Sequence, residues 1–326
     1  MQTSTSRNFQ TGPAATLVVG GGIGGMRAAL DLADAGLKVY LVEQTPCLGG
    51  RVSQLGFMFP QHDCVLCRGT ADHGYGCTRP SISPAYIQHN QHPNIEILTN
   101  TNILEVEGQA GDFTVSLRQE PRYVDIDRCT SCGKCAEACP VELPNSYQLG
   151  MTMRKAAYKV AARASPDAFV IDKGLYCDDC GECVSICPTD AINLNEQPRL
   201  VTVDVGAIIL ALGFKIYDAD GLEELGHGRY PNVVQAMQYE RLASRSGPTE
   251  GVITRPSDGK QPASIAWLQC IGSRDQENPF CSSICCMYAT KEATLALEHL
   301  PGVECQIFMM DMRAFSKGFE IGRAHV

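Results

Sequence analysis

The chain has 326 residues, 44% hydrophobic and 19% charged, which gives length for about two domains and enough apolar material for true cores, so a disordered chain is excluded. Its formal net charge is −9, and an acidic surface repels phosphate backbones, which argues against nucleic acid as a main partner. The longest apolar runs, such as Val205–Leu212, fall far short of the ~20 residues of a membrane helix, so no transmembrane segment is expected. The lead Met1–Pro13 is polar and lacks the apolar core of an export signal, which makes the cytoplasm the expected compartment.

In chain order, Thr16–Val19 reads as a buried strand ending in glycines. Gly24–Ala35 has helical spacing with Met26, Ala29, Leu30 and Ala33 on one face, Gly36 is a stop signal, and Lys38–Glu43 is the next strand. A strand–turn–helix–strand unit of this kind needs a right-handed crossover and a parallel sheet. Residues 45–93 are rich in Gly, Pro, Cys and His and read as an ordered loop region, followed by a strand at Asn94–Leu98. Ile103–Glu107 and Phe113–Arg118 alternate around Gly108 and Gly111-Asp112 as a hairpin would. Composition then shifts: residues 122–198 carry eight cysteines in two similar blocks, separated by Met151–Ala164, whose composition predicts a helix. Large α/β patterning returns with two strand-like runs in Val201–Leu212, a strand at Ala263–Leu268, a helix at Ile284–Leu300 and a strand at Glu304–Asp311. The cysteine-rich block therefore reads as a small domain inserted into an α/β host.

Seventeen cysteines is a high and odd number for a chain without an export signal, and in a reducing compartment clustered cysteines point to metal or redox chemistry. They fall into fours: 47, 64, 67 and 77; 129, 132, 135 and 139; 177, 180, 183 and 187; 270, 281, 285 and 286; with Cys305 alone in an apolar strand as a core residue. The runs Cys129-x2-Cys132-x2-Cys135-x3-Cys139-Pro140 and Cys177-x2-Cys180-x2-Cys183-x3-Cys187-Pro188 have the spacing of two [4Fe–4S] clusters. Three thiolates of one tight loop cap three corners of a cubane, and the fourth, before proline, reaches the other cluster. This assigns Cys129, Cys132, Cys135 and Cys187 to one cluster and Cys177, Cys180, Cys183 and Cys139 to the other. Structural zinc, the competing reading, pairs two C-x2-C knuckles across a longer gap and has no use for the third cysteine.

Gly20, Gly22 and Gly25 form G-x-G-x-x-G between strand and helix, and Glu43 closes the second strand where an acid can bind a ribose hydroxyl. The first glycine permits the turn, the second admits a pyrophosphate, and the third lets helix and strand pack closely, with the helix N-terminus facing the phosphates. The second unit differs. After Ala263–Leu268 comes Gln269-Cys-Ile-Gly-Ser-Arg274, in which one glycine survives. Cys270, Cys281, Cys285 and Cys286 crowd the place of the phosphates, so a third cluster in place of NAD(P)H is the hypothesis, against plain packing at a helix start. For Cys47, Cys64, Cys67 and Cys77, near His62, Asp63 and His73, three readings stay open: a further cluster, a redox dithiol of Cys64 and Cys67, or loop packing. His89 and His92 flank a polar turn and read as solvated rather than ligating.

Leu48-Gly-Gly50-Arg51 resembles the segment that follows this strand in two-dinucleotide-fold flavoproteins, and Ala211-Leu-Gly213 resembles their second flavin-side turn. The resemblance implies FAD rather than NAD, held by Gly50, Arg51 and Gly213 besides Gly20, Gly22, Gly25 and Glu43. From Leu17 to Glu320 the chain resembles the A-subunit family of heterodisulfide reductases. The segments that carry this include Gly20–Gly25, Phe59-Pro60, Asp63-Cys64-x2-Cys67, Pro121–Val124, Arg255–Gly259, Gln269–Asp275, Cys285–Ala289 and Arg313–Gly318. The family implies an α/β, thioredoxin-reductase-like two-dinucleotide-fold flavoprotein with an inserted α+β two-cluster ferredoxin domain. It also implies partner subunits of a heterodisulfide-reductase-like complex and a hydrogenase, formate or NADH-linked electron donor, with disulfide reduction on another subunit.

The expected division is a polar lead at 1–15, the first part of an FAD domain at 16–121, the ferredoxin insert at 122–198, the FAD domain continued at 199–262, and a truncated second β–α–β unit at 263–320. Family members continue further, and Ile321–Val326 fits no family pattern, while one DNA spelling of it reads as a sequencing-adapter string. An artefactual tail on a truncated frame is the expectation. The function read from all this is an electron-transfer oxidoreductase subunit passing electrons between FAD and two [4Fe–4S] clusters, with one or two more clusters open and flavin-based bifurcation as an extension. No general acid, base or nucleophile stands out. An NAD(P)H-dependent flavoenzyme similar to the flavin subunit of glutamate synthase is the alternative, and Gln269–Arg274 fails the second glycine fingerprint that it needs. A non-catalytic wiring module is the other, told apart by absence of flavin from anaerobically purified protein.

Overall fold

The computed structural model describes residues 15–58, 63–64, 92–161, 164–174 and 176–314. Strand β1 (Thr16–Val19), helix α1 (Ile23–Asp34) and strand β2 (Val39–Val42) form the first β–α–β unit. A 3-10 turn at Arg51–Gln54 leads to β3 (Phe57–Met58), which pairs antiparallel with β4 (Asp63–Cys64). Then come β5 (Ile95–Leu98), β6 (Thr101–Gln109) and β7 (Asp112–Gln119). The cysteine-rich stretch holds α2 (Lys134–Ala138), β8 (Glu142–Pro144), β9 (Met153–Lys155), β10 (Ala157–Tyr158), β11 (Val170–Ile171) and α3 (Glu182–Ser185). The chain continues through β12 (Arg199–Val205), β13 (Ala207–Leu210), α4 (Ala236–Ala243), β14 (Ser264–Leu268), α5 (Cys285–His299) and β15 (Glu304–Phe308).

Strands β13, β1, β2 and β5 form a parallel sheet in that order. Parallel strands covered on both faces read as continuous apolar runs, and alternation decides which residue meets which cover. Val18, Val39 and Leu41 face Met26, Ala29, Leu30 and Ala33 of α1. Leu17, Tyr40 and Val42 face Val115, Leu117, Val201 and Val203 of the antiparallel sheet β12–β7–β6. Each side chain so buried contributes about 1.5–3 kcal/mol.

Strands β7 and β12 pair from Phe113↔Val205 to Gln119↔Arg199, so residues 120–198 leave and rejoin the sheet between two neighbouring strands. That stretch has its own core of Val124, Ala157, Phe169, Ile171, Ala191 and Ile192 around Cys135 and Cys183. Among the described residues of Met151–Ala164 the expected helix is absent. β9 pairs with β8, and β10 pairs with β11. Burial of Ala157 against Phe169 and Ile171 outweighs the local helical composition, a weak prior that tertiary context overrides. The second β–α–β unit pairs β14 with β15 in parallel over a core of Tyr239, Trp267, Ala289, Ala293 and Ala296. Among the described residues no helix is long and apolar enough to cross a membrane.

Candidate functional site

The glycine turn sits at the carboxyl edge of the parallel sheet, where ligands of open α/β sheets bind. Gly20 has φ +107°, and a Cβ on it would lie 2.3 Å from the Ala211 carbonyl oxygen. A Cβ on Gly25 would lie 1.8 Å from the Gly20 carbonyl oxygen, so helix and turn touch backbone to backbone there. Around Gly22, by contrast, a Cβ would meet no protein atom within 4 Å. The helix that starts there has no side-chain cap and no acid in its first turn. Packing thus explains the first and third glycines, while the second borders open space beside uncapped N–H groups, which fits a pyrophosphate.

Glu43 is buried and fixes this turn. Its Oε2 accepts the Gly21 N–H at 2.7 Å, and its Oε1 accepts the Thr45 N–H and hydroxyl, both at 2.8 Å. Gly49 N–H donates to the Gly21 carbonyl at 2.8 Å, which lays Gly49–Gly50 against the glycine turn. Arg51 opens the following 3-10 turn and donates to Gln54 Oε1 at 3.1 Å. Gly213 follows β13 in a left-handed conformation with open space beside it.

The two cysteine loops fold alike although their residues differ. Ser131 and Asp179, at matching positions, have φ +56° and +57°, and Gly133 and Gly181 have φ +85° and +80°. Alternating right- and left-handed residues turn successive N–H groups inward, a concavity suited to anionic centres such as iron–sulfur sites. Cys129, Cys132, Cys135 and Cys187 line one small cavity, together with Phe169 and Ile192. At the other loop, burial first and then the charges of Cys177, Cys180 and Cys139 push the Cys183 thiol up. Burial pushes the Cys135 thiol up to about 12, with Cys129 and Cys132 adding to it. For Cys187 burial also pushes upward, but the N–H groups of Thr189 and Ala191 and the Thr189 hydroxyl outweigh it and hold the thiol below its ordinary value. Among the described residues no three His, Cys, Asp or Glu side chains converge tightly enough for a single metal ion. A cubane instead asks for thiolates spread around a larger body.

This unit is pinned to the loop after β2. The buried Arg122 donates from Nη1 to the Pro46 carbonyl at 2.6 Å, from Nε to Phe169 at 2.9 Å and from Nη2 to Ala168 at 3.2 Å. Leu48 N–H donates to Ser165 at 2.8 Å, and Gln54 Nε2 to Tyr147 at 2.9 Å. Cys47 lies buried beside Arg122 and Glu43, and burial pushes its thiol up to about 12, so it is a neutral core thiol near neutral pH. The side chains of Cys64, Cys67 and Cys77, with His62, Asp63, His73 and His89, lie outside the described residues. His92 is held between the Asn94 N–H at 3.2 Å and Asp34 at 3.3 Å.

In the second unit Cys285 and Cys286 open α5 and are buried. Cys286 Sγ accepts the Arg313 N–H at 3.3 Å, and burial with Cys285 and Cys270 nearby pushes this thiol up. Cys281 Sγ accepts the Ser283 N–H at 3.3 Å. The one surviving glycine does not open onto a ligand: a Cβ on Gly272 would lie 2.3 Å from the Tyr217 ring. An aromatic ring and thiols fill the turn after β14, so a pyrophosphate does not fit there.

Residues missed in the sequence lie between the two units. Lys291 pairs with Glu240, both buried, and donates to the Phe57 carbonyl at 2.8 Å, while Glu240 Oε2 accepts the Gly56 N–H at 3.1 Å. Glu292 accepts the Trp267 indole N–H at 2.7 Å. The one signal in the sequence was a Lys-Glu dipeptide inside the apolar run of Cys285–Leu300.

Residues 128–192 match the model of the 4Fe-4S dicluster domain, and residues 16–74 that of the FAD dependent oxidoreductase family. The second of two CoB–CoM heterodisulfide reductase iron-sulfur A-subunits of Methanopyrus kandleri is 47% identical over 306 residues, 93% of this chain and 44% of that protein. The A-subunit of the H2:CoB-CoM heterodisulfide,ferredoxin reductase of Methanothermobacter thermautotrophicus is 41% identical with the same shares. The chain thus spans about 44% of the length of these curated relatives. Among solved structures, L-proline dehydrogenase from P. horikoshii matches 93% of this chain and 37% of its own at 12% identity and TM-score 0.35, a likeness too loose to bear on the fold. The chain carries an FAD-dependent oxidoreductase segment and a 4Fe-4S dicluster domain, and over the segment that it spans it is similar to the A-subunits of heterodisulfide reductases.

Proposed function

We propose that this chain is the part of a heterodisulfide-reductase-type electron-transfer subunit in which a flavin exchanges electrons with two [4Fe–4S] clusters. The observation that carries the reading is that Cys129, Cys132 and Cys135 line one cavity with Cys187, the last cysteine of the other motif, on a unit that Arg122 fastens to the loop after β2. When bound, FAD supplies two-electron uptake in separable steps, and each cluster passes single electrons. The protein's part is to hold and insulate. Gly20, Gly22 and Gly25 admit the dinucleotide to the sheet edge, Glu43 fixes the turn, and Gly50, Arg51 and Gly213 border the flavin side. Cys129, Cys132, Cys135 and Cys187 hold one cluster; Cys177, Cys180, Cys183 and Cys139 hold the other. Cys270, Cys281, Cys285 and Cys286 hold a third where a nicotinamide dinucleotide would otherwise sit.

The domain division expected from the sequence, with the ferredoxin unit at 122–198 between two parts of the FAD domain, belongs to this reading. So do a cytoplasmic location, partner subunits that reduce a disulfide, and an electron donor of the hydrogenase, formate or NADH-linked kind. One relative is named for H2 and another for H2 or formate as donor. Anaerobic purification followed by iron, acid-labile sulfide and flavin assays tests the core of it. Folded protein without sulfide overturns the cluster assignment, and bleaching of the flavin by NADPH in the isolated chain overturns the loss of the nicotinamide site.

A further inference from the structure

The two cysteine loops have the same backbone and differ in what they place around it. Between the first and third cysteines, leaving out the glycine, the first loop carries Thr130, Ser131 and Lys134, and the second carries Asp178, Asp179 and Glu182. The formal charges are +1 and −3. Lys173 pairs with Asp179 at 2.9 Å and offsets one of these. Beside the first loop, Arg128 pairs with Asp190 at 3.9 Å, Asp167 accepts from Ser131 and pairs with Lys159, and Glu137 is exposed. Asp125 and Asp127 also precede the first loop, so the excess of negative charge at the second lies in the loop residues themselves, between the first and third cysteines.

The fourth cysteines differ in the same sense. Cys187 Sγ receives the Ala191 N–H at 3.3 Å and has the Thr189 hydroxyl at 3.8 Å. At the matching position of the first motif Val141 replaces Thr189, and its carbonyl oxygen lies 3.8 Å from Cys139 Sγ. Solvent access does not separate the two sites: Cys132 and Cys180 are exposed, Cys129 and Cys177 half-buried, Cys135 and Cys183 buried. Nearby negative charge disfavours an added electron, while hydrogen bonds to sulfur favour it.

We infer that the two sites of the ferredoxin unit are polarised: the site of Cys129, Cys132, Cys135 and Cys187 holds a single electron in preference to the site of Cys177, Cys180, Cys183 and Cys139. This rests on the cluster reading above. One electron leaves the second site and enters the first, with no proton and no bond change. The favoured site is the one whose wall residue Phe169 is gripped by Arg122, which also grips Pro46 of the loop after β2. The charge part of the preference is exposed and weakens with salt; the part from Thr189 does not.

The test is a redox titration of the full anaerobic protein followed by electron paramagnetic resonance. The expected preference is at least tenfold, or 59 mV for a one-electron centre. Lys134→Glu and the near-isosteric Thr189→Val lower the higher potential, while Glu182→Lys and Val141→Thr raise the lower one. Iron and sulfide contents of every variant are measured first. A wild type lacking sulfide refutes the cluster reading itself. Full clusters with potentials closer than tenfold, or with Thr189→Val and Glu182→Lys moving the opposite transitions or none, refute the polarity alone.

Discussion

Glu292 is the carboxyl group whose state the structure defines most sharply. It is fully buried on α5 between Trp267, which donates to its Oε2, and Glu240, which is paired with Lys291. Burial, and then the neighbouring Glu240, push its carboxyl well above the usual carboxylate range, which favours the protonated form in the folded protein. Glu292→Gln keeps the shape, an acceptor for the indole and a donor toward Glu240, and is expected within about 1 kcal/mol of wild type. Glu292→Ala leaves the Trp267 N–H buried without its acceptor, about 1–3 kcal/mol, and opens a cavity costing about 1–2 kcal/mol more. At about 2–4 °C per kcal/mol, that loss of roughly 2–5 kcal/mol lowers the melting temperature by about 4–20 °C. A carboxyl whose folded pKa is raised binds more protons folded than unfolded. Wild-type stability therefore falls as pH rises from the unfolded value toward the folded one, by up to about 1.4 kcal/mol per pH unit. Glu292→Gln lacks this slope. Far-UV circular dichroism melts of anaerobic protein from about pH 5 to about pH 8, upward from the unfolded carboxylate range, measure both effects. A Gln variant that melts as early as the Ala variant, or that keeps a wild-type slope it should have lost, shows that Glu292 is ionised and the reasoning wrong.

Three further substitutions separate the parts of the site. Gly25→Ala puts a methyl 1.8 Å from the Gly20 carbonyl and is expected to cut the flavin-to-protein ratio at least about tenfold while iron content stays unchanged; retained flavin would remove the glycine turn from the binding site. Cys285→Ala is expected to lower iron by one cluster's worth, whereas Cys305→Ala, whose thiol packs in β15 with Sγ 3.9 Å from the Ala293 carbonyl, costs about 1 kcal/mol and no iron. Equal iron in both variants would return Cys270, Cys281, Cys285 and Cys286 to plain packing. Arg122→Met strips three carbonyls, two of them on buried residues, of their donor and is expected to cost about 3–5 kcal/mol, read as faster limited proteolysis within 120–198; unchanged cleavage there would mean that the unit is held by other contacts.

The first β–α–β unit was legible because its signals are local and redundant: a buried run at Thr16–Val19, glycines at fixed offsets, an apolar stripe through Met26 and Leu30, and an acid at the strand end. The cysteine loops were legible for a similar reason, since ligand spacing is written along a few residues. Met151–Ala164 was not, because Met153–Lys155 and Ala157–Tyr158 become strands only through partners at Glu142–Pro144 and Val170–Ile171. Arg122, Glu240, Lys291 and Glu292 were equally hidden. Charged residues are presumed exposed until their partners are known, and these partners lie from tens to more than two hundred residues away: Phe169 and Pro46 for Arg122, and Phe57 for Lys291.

The topology explains how one chain brings these groups to one edge. In a parallel sheet all strands end on the same side, so the turn after β1, Glu43 after β2 and Ala211–Gly213 after β13 meet there without long connections. The cysteine-rich unit departs from Gln119 and returns at Arg199, residues that face each other in the ladder of β7 and β12. Both of its stems are therefore fixed by the antiparallel sheet, and that sheet packs through Val115, Leu117, Val201 and Val203 on Leu17, Tyr40 and Val42. Displacing the unit would mean breaking Arg122 from Pro46 and straining two paired strands. Single-electron exchange depends on fixed separations between centres, and two stems in one ladder plus a buried guanidinium provide a fixed mount that a linker could not.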